Sequence, residues 1–171
     1  MRRPPLTGQD GGRETDQGVL ARLEAERGGI ALLSFDRQAA WWIGAWLRER
    51  ALERGLGIVI DVRYGDQLVF AAALAGTTAD HTDWARRKAR LVRRFDAPSL
   101  LVAARLRAKG QTLEHYGLPA SEYAAAGGAC PVVVEGAGLV GTVAVSGLPE
   151  EADHELVVSA LRALRRAQET G

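Results

Sequence analysis

Leu20, Leu23 and Arg27 fall at helical spacing in the stretch VLARLEAERGG, and Gly28 and Gly29 behind them suit a helix end that needs positive φ. The next run, IALLSF, is short and apolar, which predicts a brief strand. Asp36 stands where a side chain can accept from the free amides of a first helical turn, so a long helix is predicted through the stretch DRQAAWWIGAWLRERALERG. Phe35, Ala39, Trp42, Ile43, Trp46 and Leu47 share one stripe of that helix, while Trp41, Ala45 and Leu52 lie nearly opposite, so both faces need cover. Its three tryptophans suit a core or a subunit contact better than a box for a flat cofactor, because an indole carries a large apolar area into any packed surface.

Two β-rich runs, GIVIDVRYG and DQLVFAAAL, meet around Gly65 and Asp66 with the composition of a tight antiparallel hairpin. Alternation places Ile58, Ile60 and Val62 on one side, and Val59, Asp61 and Arg63 on the other. Asp61 is then expected to pair with an arginine of a neighbouring element. A loop at Gly76, Thr77 and Thr78 leads to a helix with Asp80 placed as its cap. There Trp84, Lys88, Leu91, Val92 and Phe95 form the buried stripe, and Arg86, Arg90, Arg93 and Arg94 fan around the outside. Lys88 is the odd member: it either snorkels to water, the commoner outcome, or meets an acid or an anionic ligand. A further helix, SLLVAARLRAKG, stops at Gly110.

Gly127 and Gly128 precede Pro131 and a strand at Val132 to Val134, and a turn at EGAG leads into the β-rich LVGTVAVSG. Adjacent glycines permit close backbone approach, which serves either a ligand or tight strand packing. The glycine pattern of a phosphate-binding loop is absent, and no helix N-terminus follows the glycine pair as a dinucleotide fingerprint requires. The last helix opens on Pro149 with Glu150, Glu151 and Asp153 in its first turn, where negative charge favours the free amide ends. His154 lies about 100° around that helix from Asp153, so the two side chains do not converge. It reads either as a structural or interface histidine or as a ligand-site residue; without a second histidine at i+4, zinc spacing is not met.

The order of elements gives an α/β layered domain with four to five strands, an antiparallel sheet and helices on its faces. Composition refines this little. The 171 residues suit one domain, residues 16–171, behind a flexible arm at 1–15 that is rich in Pro, Gly and polar residues. A net charge of +1 provides no bulk field for nucleic acid or acidic lipid, so nucleic acid is not expected as a partner. No apolar run approaches a membrane span, and neither a hydrophobic leader nor a cysteine pair is present, which reads as a cytoplasmic protein with no membrane partner.

The stretches GTTADHTDWARRKARLVRRF, GGACPVVVEGAGLVGTVAVSGLPEEADHELVVSAL and IVIDVRYGDQLVFAAALAG resemble the uncharacterised branch of the haem-degrading-domain superfamily, GlcG-like and HbpS-like, from about Ile30 to the end. The matches rest on Gly76 and Thr77, on Trp84 with Arg87 and Lys88, on Gly127 and Gly128, and on VSGL followed by Asp153 and His154. The resemblance implies a profilin-like (GlcG-like) three-layer α/β/α fold with a central antiparallel sheet, assembly into homo-oligomers, and haem as a cofactor of some relatives. Only His81, His115 and His154 offer imidazoles to haem iron.

Three functions follow from these residues. The first is a homo-oligomeric module that binds a small molecule or haem through Trp84, Lys88, Gly127, Gly128, Ser146, Gly147, Asp153 and His154. The second is an enzyme, of haem breakdown or of acid–base chemistry on an anionic substrate, with His154 moving the proton and Lys88 holding charge. The third is an oligomeric scaffold or adaptor that presents the arginine-rich helix to an acidic protein partner.

Overall fold

A computed structural model describes residues 14–27 and 30–171. The expected arm, residues 1–15, lies outside the described residues except for Glu14 and Thr15, and so do Gly28 and Gly29. Thr15 Oγ1 accepts from the Gly18 N–H at 3.1 Å and opens helix α1, Asp16–Arg27. Strand β1 is only Ala31–Leu32, shorter than the apolar run that predicts it. Asp36 caps as expected, its carboxylate accepting from the Ala39 N–H at 2.7 Å, and helix α2 follows over Arg37–Glu53.

The predicted hairpin is present as β2, Val59–Tyr64, and β3, Gln67–Ala73, turning on Gly65 at φ 57°, a conformation glycine adopts without strain. Helices α3, Ala79–Phe95, and α4, Ser99–Lys109, come next, and then a short 3-10 turn at Leu113–Tyr116. Strands β4, Ala129–Val134, and β5, Gly138–Ser146, form the second hairpin, and α5, Glu150–Thr170, closes the chain.

Among the described residues five strands run in the order β1-β4-β5-β2-β3. The pairs β4–β5 and β2–β3 are antiparallel as hairpins, and the two hairpins meet through β5–β2, which is also antiparallel. The edge pair β1–β4 is parallel, so the sheet departs from the purely antiparallel expectation at that margin. Helices α2 and α5 cover one face over Ile60, Val62, Val132, Val143 and Val145. Helix α3 covers the other through Ala85, Ala89 and Val92 against Val59, Ala129 and Ala144. This is the three-layer α/β/α arrangement, and the alanines on both sides of the α3 contact let that helix sit close to the sheet.

Close approach also corrects the two predicted helix stripes. In α2 the buried seam is Ala40, Ile43, Gly44, Leu47 and Ala51, and the indoles of Trp41 and Trp42 face outward at 59% and 38% exposure. Gly44 explains the rotation, since a Cβ there would stand 2.2 Å from the Phe70 ring. In α3 the seam turns toward Ala85 and Ala89, which leaves Trp84 37% exposed while Lys88 stays buried. The cap of α3 is Thr78 rather than Asp80, which falls inside the first turn. Asp61 pairs not across the sheet but along its own strand, holding both Arg63 Nε and Nη2 at 2.8 Å.

Candidate functional site

The first turns of α3 and α5 and the end of β5 surround a cleft of about 280 Å³. Thr78 and His81 build its α3 rim. The Thr78 N–H donates to His81 Nδ1 at 3.0 Å, which closes the helix end as a capping-box residue does. His81, Trp84 and Lys88 follow at offsets of three and seven, so one helix face carries all three to the cleft.

Lys88 forms the floor. Its ammonium donates to the Val145 carbonyl at 2.6 Å, the Gly127 carbonyl at 2.9 Å and Asp153 Oδ2 at 3.3 Å, so all three of its protons have acceptors. The expected snorkelling does not occur, because the side chain is 2% exposed and its partners reach it inside the protein. Asp153 is equally buried and also accepts from the Leu148 N–H at 3.1 Å and the Gly147 N–H at 3.3 Å. Desolvation lowers the Lys88 pKa, with Asp153 opposing it, and raises that of Asp153, with Lys88 and the two amides opposing. Burial therefore weakens the charge on both partners, while their hydrogen bonds hold them together.

The glycines have packing reasons. A Cβ on Gly127 would stand 2.2 Å from the Glu150 carbonyl oxygen. Gly128, at φ 122°, lies directly behind the lysine, where a Cβ would stand 2.5 Å from Lys88 Nζ. Glu150 reaches back from the first turn of α5 to accept from the Gly127 N–H at 3.1 Å.

Of the residues singled out in the sequence, Trp84, Lys88, Gly127, Ser146, Gly147 and Asp153 line this one cleft, and Gly128 packs against its lysine. The cleft also takes in Asp80, His81 and Glu150, of which His81 was readable as the polar third residue after a capping threonine. His154 lines a different cavity, with Cys130 and Glu26, because its side chain leaves α5 on another face from Asp153. Glu26 carried no local signal, since it reaches His154 across 128 residues of sequence. His115 sits exposed on the 3-10 turn.

The exposed wall of the cleft is Trp84, with the Arg87 guanidinium 4.3 Å from its ring centroid. Arg87 is in turn held by Asp83 at 2.7 Å and the Ala120 carbonyl at 3.2 Å. Three of the four fan arginines are matched in the same way, Arg86 to Asp83, Arg90 to Glu122 and Arg93 to Asp66, while Arg94 lies over the Phe95 ring with no acidic partner among the described residues. Most of that face is therefore ion-paired, with Arg94 its unmatched cation among the described residues. Among the described residues no helix is long and apolar enough to cross a membrane.

Comparison with known proteins agrees with this architecture. Residues 35–162 match the family model described as haem degrading protein HbpS-like. A UPF0303 protein of Burkholderia mallei is 52% identical over 143 residues, covering 83% of this chain and 87% of that protein. The crystal structure of the Ybr137w protein superposes with a TM-score of 0.79 at 26% identity, over 86% of this chain and 88% of that one. A structure of a PduOC:haem complex superposes with a TM-score of 0.63 over 78% of this chain and 95% of that one, and at 17% identity it bears on the fold alone.

Proposed function

The chain belongs to the HbpS-like family of haem-degrading proteins, and from that premise we propose that it is a homo-oligomeric small-molecule-binding module whose ligand occupies the cleft between the first turns of α3 and α5. The observation that carries this reading is the cleft's construction. A buried, fully bonded Lys88–Asp153 pair makes a rigid floor, and the half-exposed face of Trp84 makes a wall, which together suit a flat, polar ligand.

Haem is the ligand that the family description puts first. The two cavities offer its iron no free histidine lone pair, and His115 stands apart from both on the 3-10 turn. His81 is the imidazole of the cleft, and its Nδ1 lone pair accepts from the Thr78 amide, so its neutral form carries the proton on Nε2. His154 has Nδ1 beside the Cys130 thiol and Nε2 beside Glu26. Beyond the Lys88–Asp153 pair, Asp80 and Glu150 add negative charge to the lining, which disfavours carboxylate groups deep in the cleft. Haem chemistry, when haem is bound, would be supplied by the iron; this chain's own residues stack, exclude water and hold the floor.

Assembly rests on a separate feature. Trp41, Leu52 and Leu68 are large apolar side chains left at 48% exposure or more, and β3, which carries Leu68, is an edge strand. A second copy of the chain is the partner proposed for them.

The test is native mass spectrometry of the untagged protein, followed by titration with haemin and with any co-purifying metabolite. Retained mass or a saturable Soret change is expected, weakened roughly 5- to 150-fold in Trp84→Ala because base-like rings gain ~1–3 kcal/mol from an aromatic face. His81→Ala should leave the haem spectrum unchanged. If no added mass is retained and no saturable change is seen, or if Trp84→Ala binds as tightly as the parent, the cleft is not the site.

A further inference from the structure

A second cavity, of about 170 Å³, lies between α1, the β4–β5 hairpin and α5, and its walls are largely apolar: Leu23, Ile30, Val133, Leu139, Val158 and Leu161. At one end stand three chemical groups in sequence. Cys130 Sγ is 3.8 Å from His154 Nδ1, and His154 Nε2 is 3.2 Å from Glu26 Oε2. Glu26 is fixed from its other oxygen by Arg162 at 3.3 Å. The carboxylate can only accept in its ionised form, so the neutral imidazole carries its proton on Nε2 and presents the Nδ1 lone pair to the thiol. This is the order nucleophile, base, orienting acid that activates thiols and hydroxyls generally.

We propose that Cys130 is a nucleophile toward small, apolar α,β-unsaturated carbonyl compounds that enter this cavity, with His154 as its general base and Glu26 as the residue that positions the imidazole. The substrate class follows from what the site has and lacks. The residue after Cys130 is Pro131, which has no N–H, so the amide that ordinarily stabilises a tetrahedral oxyanion beside a nucleophile is missing here. Acyl transfer is thereby poorly served. Conjugate addition needs no leaving group, and it carries the developing charge away from sulfur to an enolate oxygen, in a cavity whose lining includes Arg27.

The step balances without an added oxidant or reductant. A C–S bond forms at the β-carbon as the C=C π bond breaks to the enolate. The thiol proton passes to His154 Nδ1 and is returned to the α-carbon. Burial raises the Cys130 pKa, so the resting group is the thiol and the reaction depends on the base. The charged groups around the imidazole are Glu26 and Arg27 from α1, Asp96 from the end of α3, and Arg162 from α5 itself.

Cys130 is the sole cysteine of the sequence, so intact mass counts its adducts without ambiguity. The native full-length chain would be treated with 2-cyclohexen-1-one and, separately, with iodoacetate. One enone adduct per chain is expected, none in Cys130→Ser, and slow reaction with the charged reagent. The rate should level off rather than climb with thiol ionisation, because the proton leaves through His154 and not to bulk hydroxide. His154→Gln should slow addition by on the order of 10²-fold, as loss of a general base does. Glu26→Gln, on the peripheral helix, should keep the fold by circular dichroism yet shift the pH profile. A native thiol inert to the enone until urea is added overturns the proposal. So does a wild-type rate that rises steadily into alkaline pH, or one unchanged by Glu26→Gln with an unmoved profile. None of these outcomes depends on whether the α3–α5 cleft binds a ligand.

Discussion

Lys88 on α3 and Asp153 on α5 meet as a buried ion pair, 3.3 Å apart, that ties the helix on one face of the sheet to the helix on the other. The pair is completed by two carbonyls on the lysine and two amides on the aspartate. Removing one partner strands the other at a buried position. Lys88→Met and Asp153→Leu should each cost about 3–5 kcal/mol, while the double variant, which leaves no orphaned charge, should recover much of that. Urea unfolding of the four proteins measures the coupling. Additive losses would show that the two groups are stabilised by something other than each other.

The same pair sets a pH signature. The folded Asp153 pKa is raised by burial, so its contribution is present at acid pH and lost as pH rises through the folded value. The folded Lys88 pKa is lowered by burial, so its contribution is present at alkaline pH and lost as pH falls through the folded value. Relative to Lys88→Met/Asp153→Leu, the parent should therefore gain stability toward both extremes and be least favoured in between. Unfolding free energies of both proteins across that range test it, and a difference that peaks at neutral pH would contradict the assignment.

His81 shows how much of this was legible in the sequence. Hairpins, helix spans and the layered α/β class follow from period and turn chemistry, which are local, and they appear where the pattern puts them. The facing of α2 and α3 departs from a stripe through their largest apolar residues. Helices that lie close to a sheet bury their smallest ones, here Gly44, Ala85 and Ala89, and turn Trp41 and Trp84 outward. Trp84 and Lys88 at i and i+4 could be placed together from the chain alone. Their meeting with Gly147 and Asp153, and the meeting of Glu26, Cys130 and His154, are products of tertiary packing that no local spacing encodes.

For His81 itself the expectation is a capping role. His81→Ala removes the side-chain acceptor for the Thr78 amide and should lower stability by about 0.5–2 kcal/mol. His81→Glu supplies the acceptor that this helix position ordinarily carries and should restore most of the loss. Thermal unfolding of the three proteins decides the matter. Failure of glutamate to rescue would mean that the imidazole is required for something besides the helix end.

Gly44 offers a test of close packing. An alanine gains about 1 kcal/mol of helix propensity, but its methyl would stand 2.2 Å from the Phe70 ring. Overpacking of this kind costs about 1–3 kcal/mol, so the net effect of Gly44→Ala should be destabilising. Phe70→Leu should relieve it, and a cycle of the two substitutions by urea unfolding would read that coupling directly. A stable Gly44→Ala protein with an unshifted midpoint would mean that α2 can move off the sheet without loss.

The outward tryptophans make the last prediction. Trp41 is 59% exposed and lies edge-on to Phe70 of β3 at 5.0 Å between ring centroids, so its indole is held in place yet mostly uncovered. Leu68, 48% exposed, sits on the same edge strand, whose outer backbone groups have no neighbour in the sheet among the described residues. A held aromatic next to an open strand edge is what a subunit contact uses, whereas a monomer would be expected to guard such an edge with charge. Trp41→Glu and Leu68→Lys each bring a charge to that contact without touching the core seam of α2. Both variants should fold with the parent's circular dichroism and sediment as smaller particles. An unchanged particle mass in both would remove this face from the assembly.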